Sequence, residues 1–217
     1  MIPLSIPNIS GNELKYVKDC LDTGWISSAG EYVNKFEEAI QNYTGAKYAI
    51  ACMNGTAGLQ VSLILAGVTK NDIVIAPNLT FVATLNAISY VSAQTVLIDN
   101  CEDSWQIDVD LLEEWLIKNT TTIIGDKPIT IEKLSGKKVG AIMPVYVLGG
   151  FVNTDKLLKI STKYGIPIIE DSTEALGSFK KGKHAGTFGL TGVLSFNGNK
   201  IISTGGGGMI LTDNQDI

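Results

Sequence analysis

The sequence predicts an α/β fold in which a mainly parallel, mixed β-sheet is flanked by helices. From residue 48 onward, short runs of β-branched residues alternate with segments that place apolar residues at helical spacing. This alternation is typical of a parallel sheet with helices on both faces. The 217 residues, 45% of them hydrophobic, are enough to bury one sizeable core. We therefore expect residues 1–217 to form one large domain.

The first 45 residues are predicted to be a helical segment in front of the sheet. Residues 12–22 and 31–43 are rich in polar residues and place apolar side chains three or four positions apart. That spacing indicates amphipathic helices. Gly24 and Gly45 follow these stretches and supply residues that end helices.

Strands and helices alternate through the middle of the chain. Strands are predicted at residues 48–53, 73–76, 95–98, 141–144 and 166–170, and helices at residues 57–65, 81–91, 108–118 and 155–164. The polar stretch between residues 119 and 138 receives no assignment. Strands at residues 192–196 and 209–212 are separated by a glycine-rich loop rather than a helix, which predicts a closing antiparallel element.

The charge pattern argues against nucleic acid as a partner. Net charge is −5, and all 17 basic residues are lysines spread along the chain rather than gathered in a patch. Arginine, whose planar fork grips carboxylates and phosphates at two points, is absent from the sequence. Any anionic ligand must therefore be held by backbone N–H groups, hydroxyls, lysines or another chain.

The cysteines and the hydropathy pattern predict a cytoplasmic protein without a membrane partner. Cys20, Cys52 and Cys101 lie far apart, with no CxxC motif or Cys/His cluster, so we expect no disulfide framework and no metal site. Residues 1–5 contain no basic segment followed by an apolar run. The longest apolar stretch, near residues 139–152, is too short to span a bilayer.

Lys200 is the first candidate for chemistry. It follows a predicted strand, with Ser195 five residues before it and the glycine run of residues 205–208 beginning five residues after it. It is either an exposed loop lysine or an amine that condenses with a carbonyl compound. The Gly-Lys-Ser/Thr of a Walker phosphate loop is missing here. The glycine run is either a flexible linker or a loop whose backbone passes close to another group.

Asp171 lies at a position where ligands bind in open α/β sheets. It follows the apolar run of residues 166–170, at the C-terminal edge of a predicted parallel strand. One interpretation is a helix N-cap for the segment that starts at Ser172. The other is a carboxylate that pairs with a protonated pyridine nitrogen.

Residues 54–58 join a predicted strand to a predicted helix. At such a junction, backbone N–H groups and the helix dipole favour an anion, and Thr56 adds a hydroxyl donor. The alternative is an ordinary turn that is capped by Asn54 or Thr56. Phe81 begins the next strand-to-helix unit and is either a core residue or a ring that lies on a planar ligand.

His184 is the only histidine in the sequence. A Ser-His-Asp arrangement is not supported, because no Gly-x-Ser-x-Gly motif is present. We interpret His184 as a loop residue near a ligand.

These segments together resemble the DegT/DnrJ/EryC1/StrS family of pyridoxal-phosphate (PLP)-dependent sugar aminotransferases, which have the type I aminotransferase fold. The resemblance runs through nearly the whole chain, in matching order and spacing, at residues 7–10, 24–30, 54–57, 77–84, 170–178, 186–189 and 195–200. The sequences of residues 170–174 and 195–200 are most similar to those of the branch that aminates the C4 ketone of nucleotide-linked 4-keto-6-deoxy sugars, including legionaminic-acid and perosamine routes.

The resemblance implies a role for each candidate residue. Lys200 would form the Schiff base with PLP and carry the proton between cofactor and substrate carbons. Asp171 would hold the pyridinium, and Phe81 would stack on the ring. Glu174 corresponds to a position beside the phenolic oxygen that is often Gln in the family.

The resemblance also implies a phosphate site made by Gly55, Thr56, Ala57 and Ser195. Tyr146 is a departure, because many members have His at that position. For the sugar nucleotide, contacts are expected from Trp25 and Ser27, in the segment of residues 24–28, and from Lys183 and His184.

The implied partners are a nucleotide-linked keto sugar, glutamate as the amino donor and a second copy of the chain in a homodimer. The resemblance also implies that full family members are longer and carry a small C-terminal domain that we expect to be absent here, so a PLP-binding fragment without turnover is one alternative. A PLP-dependent sugar dehydratase is another. Related dehydratases replace the Schiff-base lysine with His, whereas Lys200 is present here.

Overall fold

The computed structural model describes residue 2 and residues 6–217. The helices are α1 (Glu13–Thr23), α2 (Glu31–Thr44), α3 (Gly55–Leu65), α4 (Val82–Tyr90), α5 (Val109–Asn119) and α6 (Thr154–Tyr164). The strands are β1 (Tyr48–Cys52), β2 (Asp72–Pro77), β3 (Gln94–Ile98), β4 (Thr120–Ile123), β5 (Ile129–Glu132), β6 (Lys138–Ile142), β7 (Ile169–Asp171), β8 (Phe179–Lys180), β9 (Lys183–His184), β10 (Thr191–Ser195) and β11 (Gly208–Thr212). The expectation on residues 1–5 falls largely on Met1 and residues 3–5, which lie outside the described residues.

The two N-terminal helices begin and end close to their predicted limits. α1 and α2 both stop at a glycine in the left-handed conformation, Gly24 at φ 77° and Gly45 at φ 77°. Glycine adopts this conformation without the steric cost that a Cβ imposes, which is why it ends helices so often. None of the residues of α1 is buried, whereas α2 buries Ile40 and Thr44. Among the described residues, no helix is long and apolar enough to cross a membrane.

The sheet is mixed, and its central pairings are parallel. β2 pairs in parallel with both β3 and β6, and β7 pairs in parallel with β10. Single parallel bridges from Ile142 to Ile168 and from Val145 to Asp171 connect the two halves of the sheet. β11 lies between β10 and β1 and is antiparallel to both, as the glycine-rich connection predicted.

Two hairpins occur where no strands were predicted. β4 and β5 form an antiparallel pair within residues 119–138. β5 also pairs with β6, antiparallel, which joins the hairpin to the sheet. β8 and β9 pair across a tight turn in which Lys181 (φ 52°) and Gly182 (φ 78°) both adopt positive φ. Positive φ at both central residues is the geometry of a two-residue hairpin turn, and only Gly182 favours it intrinsically.

Helices cover both faces of the sheet, which confirms the predicted α/β architecture. On one face, Ile75 of β2 belongs to a buried cluster with Leu112 of α5 and Ile160 of α6. On the opposite face, Val74 belongs to a second cluster with Leu63 of α3. Successive residues of β2 therefore point into different cores, which explains why the whole strand is buried.

A third cluster attaches α2 to the antiparallel end of the sheet. Ile40 of α2 packs with Leu194 of β10 and Met209 of β11, together with Phe196. The rings of Phe36 and Phe196 meet edge to face, with centroids 4.8 Å apart. This packing holds the end of β10 and the loop that follows it, which is the segment that carries Lys200.

Candidate functional site

Most of the residues predicted to bind the cofactor meet in one cavity of about 300 Å³ at the C-terminal edge of the sheet. β1, β7 and β10 run in the same direction and end there, and α3 and α4 begin there. Ligands of open α/β sheets bind at this edge, because the helix N-termini and the loops converge on it. Seven of the predicted cofactor residues line the cavity: Gly55, Thr56, Phe81, Asp171, Glu174, Ser195 and Lys200.

The turn between β1 and α3 starts the helix at Gly55, two residues before its predicted start at Ala57. The side chain of Asn54 caps the helix by accepting the backbone N–H of Ala57, with a distance of 2.8 Å. The amides of Gly55 and Thr56 lie in the first helical turn, where no intrahelical acceptor exists. Because the amide of Ala57 is already engaged, Gly55 and Thr56 are the residues whose N–H groups remain for an anion.

Gly55, the first residue of α3, lies against Thr173, which follows β7, and against Ser195 at the end of β10. A Cβ placed on Gly55 would stand 2.9 Å from Cγ2 of Thr173, 3.1 Å from Cβ of Ser195 and 3.4 Å from its Oγ. A side chain here would clash with Thr173 and Ser195, so glycine lets the first turn of α3, with its two open backbone amides, approach the Ser195 hydroxyl closely. These groups are neutral donors, and such a set suits a phosphate in a chain without arginine.

Gly208 makes a similar close approach on the other side of the turn. A Cβ on Gly208 would lie 2.6 Å from the carbonyl carbon of Asn54. The glycine run therefore includes a position where the backbone of β11 passes directly against the turn between β1 and α3, which supports a loop whose backbone passes close to another group.

Asp171 is the last residue of β7 and is almost fully buried. Its Oδ2 accepts the hydroxyl of Thr84 at 2.7 Å, and its Oδ1 accepts the N–H of Thr173 at 3.2 Å. Burial raises the pKa of Asp171, while the hydrogen bonds and the positive charge of Lys200 oppose that rise. Residues 172–178 form turns rather than a helix, so the N-cap interpretation of Asp171 is wrong.

Lys200 is held in a turn after β10 and points at Glu174. Its backbone N–H donates to the carbonyl of Asn197 at 3.0 Å, and its Nζ lies 3.4 Å from Oε1 of Glu174. The side chain of Lys200 is 13% exposed. The other carboxylate oxygen of Glu174 accepts the N–H of Leu148 at 3.0 Å, from a residue with φ 52°. Glu174 is therefore fixed by a backbone amide on one side and faces the amine on the other.

Phe81 caps α4 and lies at the rim of the cavity. Its side chain is 71% exposed, so the core interpretation of this residue is wrong. An exposed ring beside a cavity can cover one face of a planar ligand.

The residues predicted to contact the sugar nucleotide do not lie at this cavity. Trp25 and Ser27 line a separate apolar cleft between α1 and α2. Lys183 extends over the ring of Phe188, with its Nζ 5.0 Å from the centroid.

His184 is a correction to the sequence-based interpretation. Its side chain is fully buried, and Nε2 accepts the N–H of Gly177 at 3.0 Å. Nδ1 contacts the carbonyl of Ala185, and burial lowers the pKa of the imidazole. With both ring nitrogens engaged inside the protein, His184 is a structural residue in this chain rather than a ligand contact.

Glu170 and Tyr146 form a buried pair that the sequence did not reveal. The Tyr146 hydroxyl donates to Glu170, and the same carboxylate accepts the N–H groups of Gly186, Phe188 and Gly189. Burial raises the pKa values of both groups. The tyrosine that departs from the family pattern thus anchors the loop after β9 onto β7, one residue before Asp171.

Within the part of the chain that the structure describes, no group of three or more His, Cys, Asp or Glu side chains is arranged to hold a metal ion. The acidic residues of the cavity are Asp171 and Glu174, and each is already fixed by hydrogen bonds.

Comparison with known proteins places these features in one family. The sequence matches the DegT/DnrJ/EryC1/StrS aminotransferase family over residues 7–217. GDP-perosamine synthase of Caulobacter vibrioides is 38% identical over 216 residues, which are 100% of this chain and 53% of that protein. GDP-perosamine synthase of Escherichia coli O157:H7 is 35% identical over 216 residues, which are 100% of this chain and 54% of that protein. The chain thus spans about half the length of the curated relatives it matches.

A solved structure gives the same answer for the fold. A Streptococcus pneumoniae protein assigned as a sugar aminotransferase, solved in its PLP form, superposes with a TM-score of 0.82 and 28% sequence identity. The superposition covers 100% of this chain and 54% of that one. The aminotransferases of this family depend on PLP and have the type I fold. The chain therefore belongs to the DegT/DnrJ/EryC1/StrS aminotransferase family.

Proposed function

We propose that this chain is the PLP-binding part of an enzyme that transfers an amino group to the C4 ketone of a nucleotide-linked 4-keto-6-deoxy sugar. The observation that carries the proposal is the convergence, in one cavity, of a partly buried amine, a buried carboxylate and an anion cradle at a helix N-terminus. The similarity to two GDP-perosamine synthases supports a nucleotide sugar as the substrate.

The residues of the cavity fit PLP group by group. The amides of Gly55 and Thr56 with the hydroxyl of Ser195 would hold the phosphate, because all three residues line the cavity at the N-terminus of α3. Asp171 would hold the ring nitrogen, and Phe81 would cover the ring face. When bound, PLP supplies an electron sink for carbanion chemistry.

Lys200 would supply the reactive amine. Its side chain is mostly shielded from solvent, and its Nζ is directed by Glu174 toward the interior of the cavity. An amine held in this way can attach to a carbonyl carbon and, once displaced, can move a proton at Nζ. Glu174 accepts a hydrogen bond from Nζ and keeps it in place between these steps.

The donor and the assembly complete the proposal. Glutamate would supply the amino group, the enzyme would act as a homodimer, and it would work in the cytoplasm on precursors of surface polysaccharides. With no arginine in the chain, any bidentate grip on the donor carboxylates or on the nucleotide must come from another polypeptide segment or from a partner chain.

The test begins with cofactor attachment. Purified protein is incubated with PLP and reduced with borohydride, and the labelled peptide is identified by mass spectrometry. The label should lie on Lys200, and Lys200→Ala should abolish it. Lys183→Ala is the matched control, because Lys183 lies on the β8–β9 hairpin and does not line the cavity. Labelling that survives in Lys200→Ala would show that the amine is misassigned.

Turnover is measured separately on a panel of UDP-, GDP- and dTDP-linked 4-keto-6-deoxy sugars with glutamate. We expect amination of one of these sugars by wild type and loss of amination in Lys200→Ala. Attachment of PLP without amination of any sugar would instead support a PLP-binding fragment without turnover.

A further inference from the structure

We propose that Thr84 is a positioning residue that keeps the carboxylate of Asp171 ionised and turned toward the cavity, ready for a cationic ring nitrogen. This inference rests on the proposed function, because the cation in question is the protonated ring nitrogen of PLP. Thr84 lies in the first turn of α4, and its side chain is completely buried. Its hydroxyl spans the gap between α4 and the end of β7 to reach Oδ2 of Asp171 at 2.7 Å.

The direction of the hydrogen bonds follows from counting protons. An ionised carboxylate only accepts, so the single hydroxyl proton of Thr84 must point at Asp171. The hydroxyl oxygens of Thr84 and Thr80 lie 2.7 Å apart, so Thr80 donates in that contact rather than to the carbonyl of Phe81, which lies 3.2 Å away. With Asp171 ionised, a chain of donors thus runs from Thr80 through Thr84 to the carboxylate.

Because Asp171 is buried, the hydrogen bond from Thr84 affects whether its carboxyl group is ionised. Burial alone favours the neutral carboxyl, which would leave no charge for a pyridinium. Two residues support the carboxylate: Thr84 through its hydroxyl, and Thr173 through its N–H and its side chain. The Thr173 contact is the longer of the two at 3.2 Å, so Thr84 supplies the stronger support.

The geometry also determines the orientation of the carboxylate. Thr84 binds Oδ2 and Thr173 binds Oδ1, so the two donors hold both oxygens and leave lone pairs free for a third partner. Lys200 is the cationic group that acts on Asp171 in the same cavity, and it contributes through its charge. Thr84 does not line the cavity itself, so its effect on a ligand would pass through Asp171.

The experiment compares three variants of the 217-residue chain. Thr84→Val keeps the shape and removes the hydroxyl, whereas Thr84→Ser keeps the hydroxyl. Thr130→Val is the matched control, because Thr130 is also buried and donates to the carbonyl of Tyr164, and neither residue lines the cavity. PLP dissociation constants are measured by equilibrium dialysis, and protonation of the ring nitrogen is read from the ¹⁵N shift of labelled PLP.

We expect Thr84→Val to weaken PLP binding by about tenfold to a hundredfold, the range for losing one hydrogen bond to a charged group. The ¹⁵N signal should move toward the unprotonated position. Thr84→Ser and Thr130→Val should keep both the affinity and the protonated signal of wild type. If Thr84→Val does not fold, Thr84→Ala is judged by the same two readouts, because its smaller side chain introduces no clash.

The outcomes separate this inference from the proposed function. If wild type binds no PLP, the proposed function is wrong and the role of Thr84 is lost with it. If wild type binds PLP and Thr84→Val binds it equally well with a protonated nitrogen, the inference fails while the cofactor assignment stands. Equal weakening by Thr130→Val would also overturn it, since the effect would then reflect stability alone.

Discussion

Replacing Glu170 with Gln tests whether a buried carboxylate anchors the loop after β9. The carboxylate receives donors from the Tyr146 hydroxyl and from the N–H groups of Gly186, Phe188 and Gly189. The two shortest backbone contacts, each 2.7 Å, come from Phe188 and Gly189 and share Oε2. Four donors around one carboxylate favour its ionised form despite burial.

The cost of Glu170→Gln can be worked out from these contacts. The best placement of the amide keeps its oxygen on Phe188 and Gly189 and lets its NH₂ donate to the oxygen of Tyr146. The N–H of Gly186 then faces another donor and is left unsatisfied, which costs about 1–3 kcal/mol. The two retained bonds lose their charge assistance, at roughly 1 kcal/mol for the pair. We expect a total loss of about 3 kcal/mol in the free energy of unfolding.

Urea unfolding at pH 7, followed by circular dichroism, measures this loss. Tyr146→Phe removes only one donor and should cost about 1.5–2 kcal/mol. Glu114→Gln, a change of the same chemistry on the exposed side of α5, should stay within about 0.5 kcal/mol of wild type. If Glu170→Gln unfolds at the same urea concentration as Glu114→Gln, the carboxylate is not an ionised anchor and the reasoning is wrong.

Three further perturbations have distinct readouts. Gly55→Ala should weaken PLP binding by more than tenfold, because its Cβ would stand 2.9 Å from Cγ2 of Thr173; Gly125→Ala, with nothing within 4 Å, should leave binding unchanged in the same dialysis assay. Burial lowers the pKa of His184, so below about pH 6.5 the unfolded chain binds a proton that the folded protein does not. Stability should therefore fall as pH decreases from 7 to 5, with this residue contributing at most about 1.4 kcal/mol per unit, and urea titrations of His184→Gln should show a shallower fall. Leu112→Ala should cost about 3–4 kcal/mol in urea unfolding, since Leu112 is completely buried; a loss under 1 kcal/mol would contradict its place in the core.

The central βα units were predictable because their strands are buried on both faces. Residues 73–76 form an uninterrupted apolar run, and every residue of β2 is buried. The β4–β5 hairpin lacked such a run, because its strands are rich in threonine. Its stability comes from contacts that are distant in sequence, such as the hydroxyl of Thr130 on the carbonyl of Tyr164, and local sequence cannot report these.

The candidate site likewise contains some residues whose positions the local sequence indicates and others that depend on contacts distant in sequence. The positions of Lys200 and Asp171 were predictable because Asp171 ends a strand and Lys200 follows one, at the edge where parallel sheets bind ligands. Thr84 looked like an ordinary helical residue, since its partner lies 87 residues away. His184 was interpreted as a loop residue near a ligand because it stands alone in a lysine-rich segment, whereas the β8–β9 hairpin turns its side chain into the protein. The local pattern of polar and apolar residues does not reveal that a polar side chain in such a hairpin is buried.

The pairing of β11 between β1 and β10 has a kinetic consequence. Tyr48 pairs with Thr212 and Cys52 with Gly208, so the earliest strand among the described residues finds its neighbour only in the latest one. Contacts of such long sequence separation form slowly, because the intervening loop must close first. During synthesis, β1 would wait with an open edge until nearly all of this segment has left the ribosome. Substitutions that delay the docking of β11 would then reduce the yield of folded protein in the cell, even where equilibrium stability is unchanged.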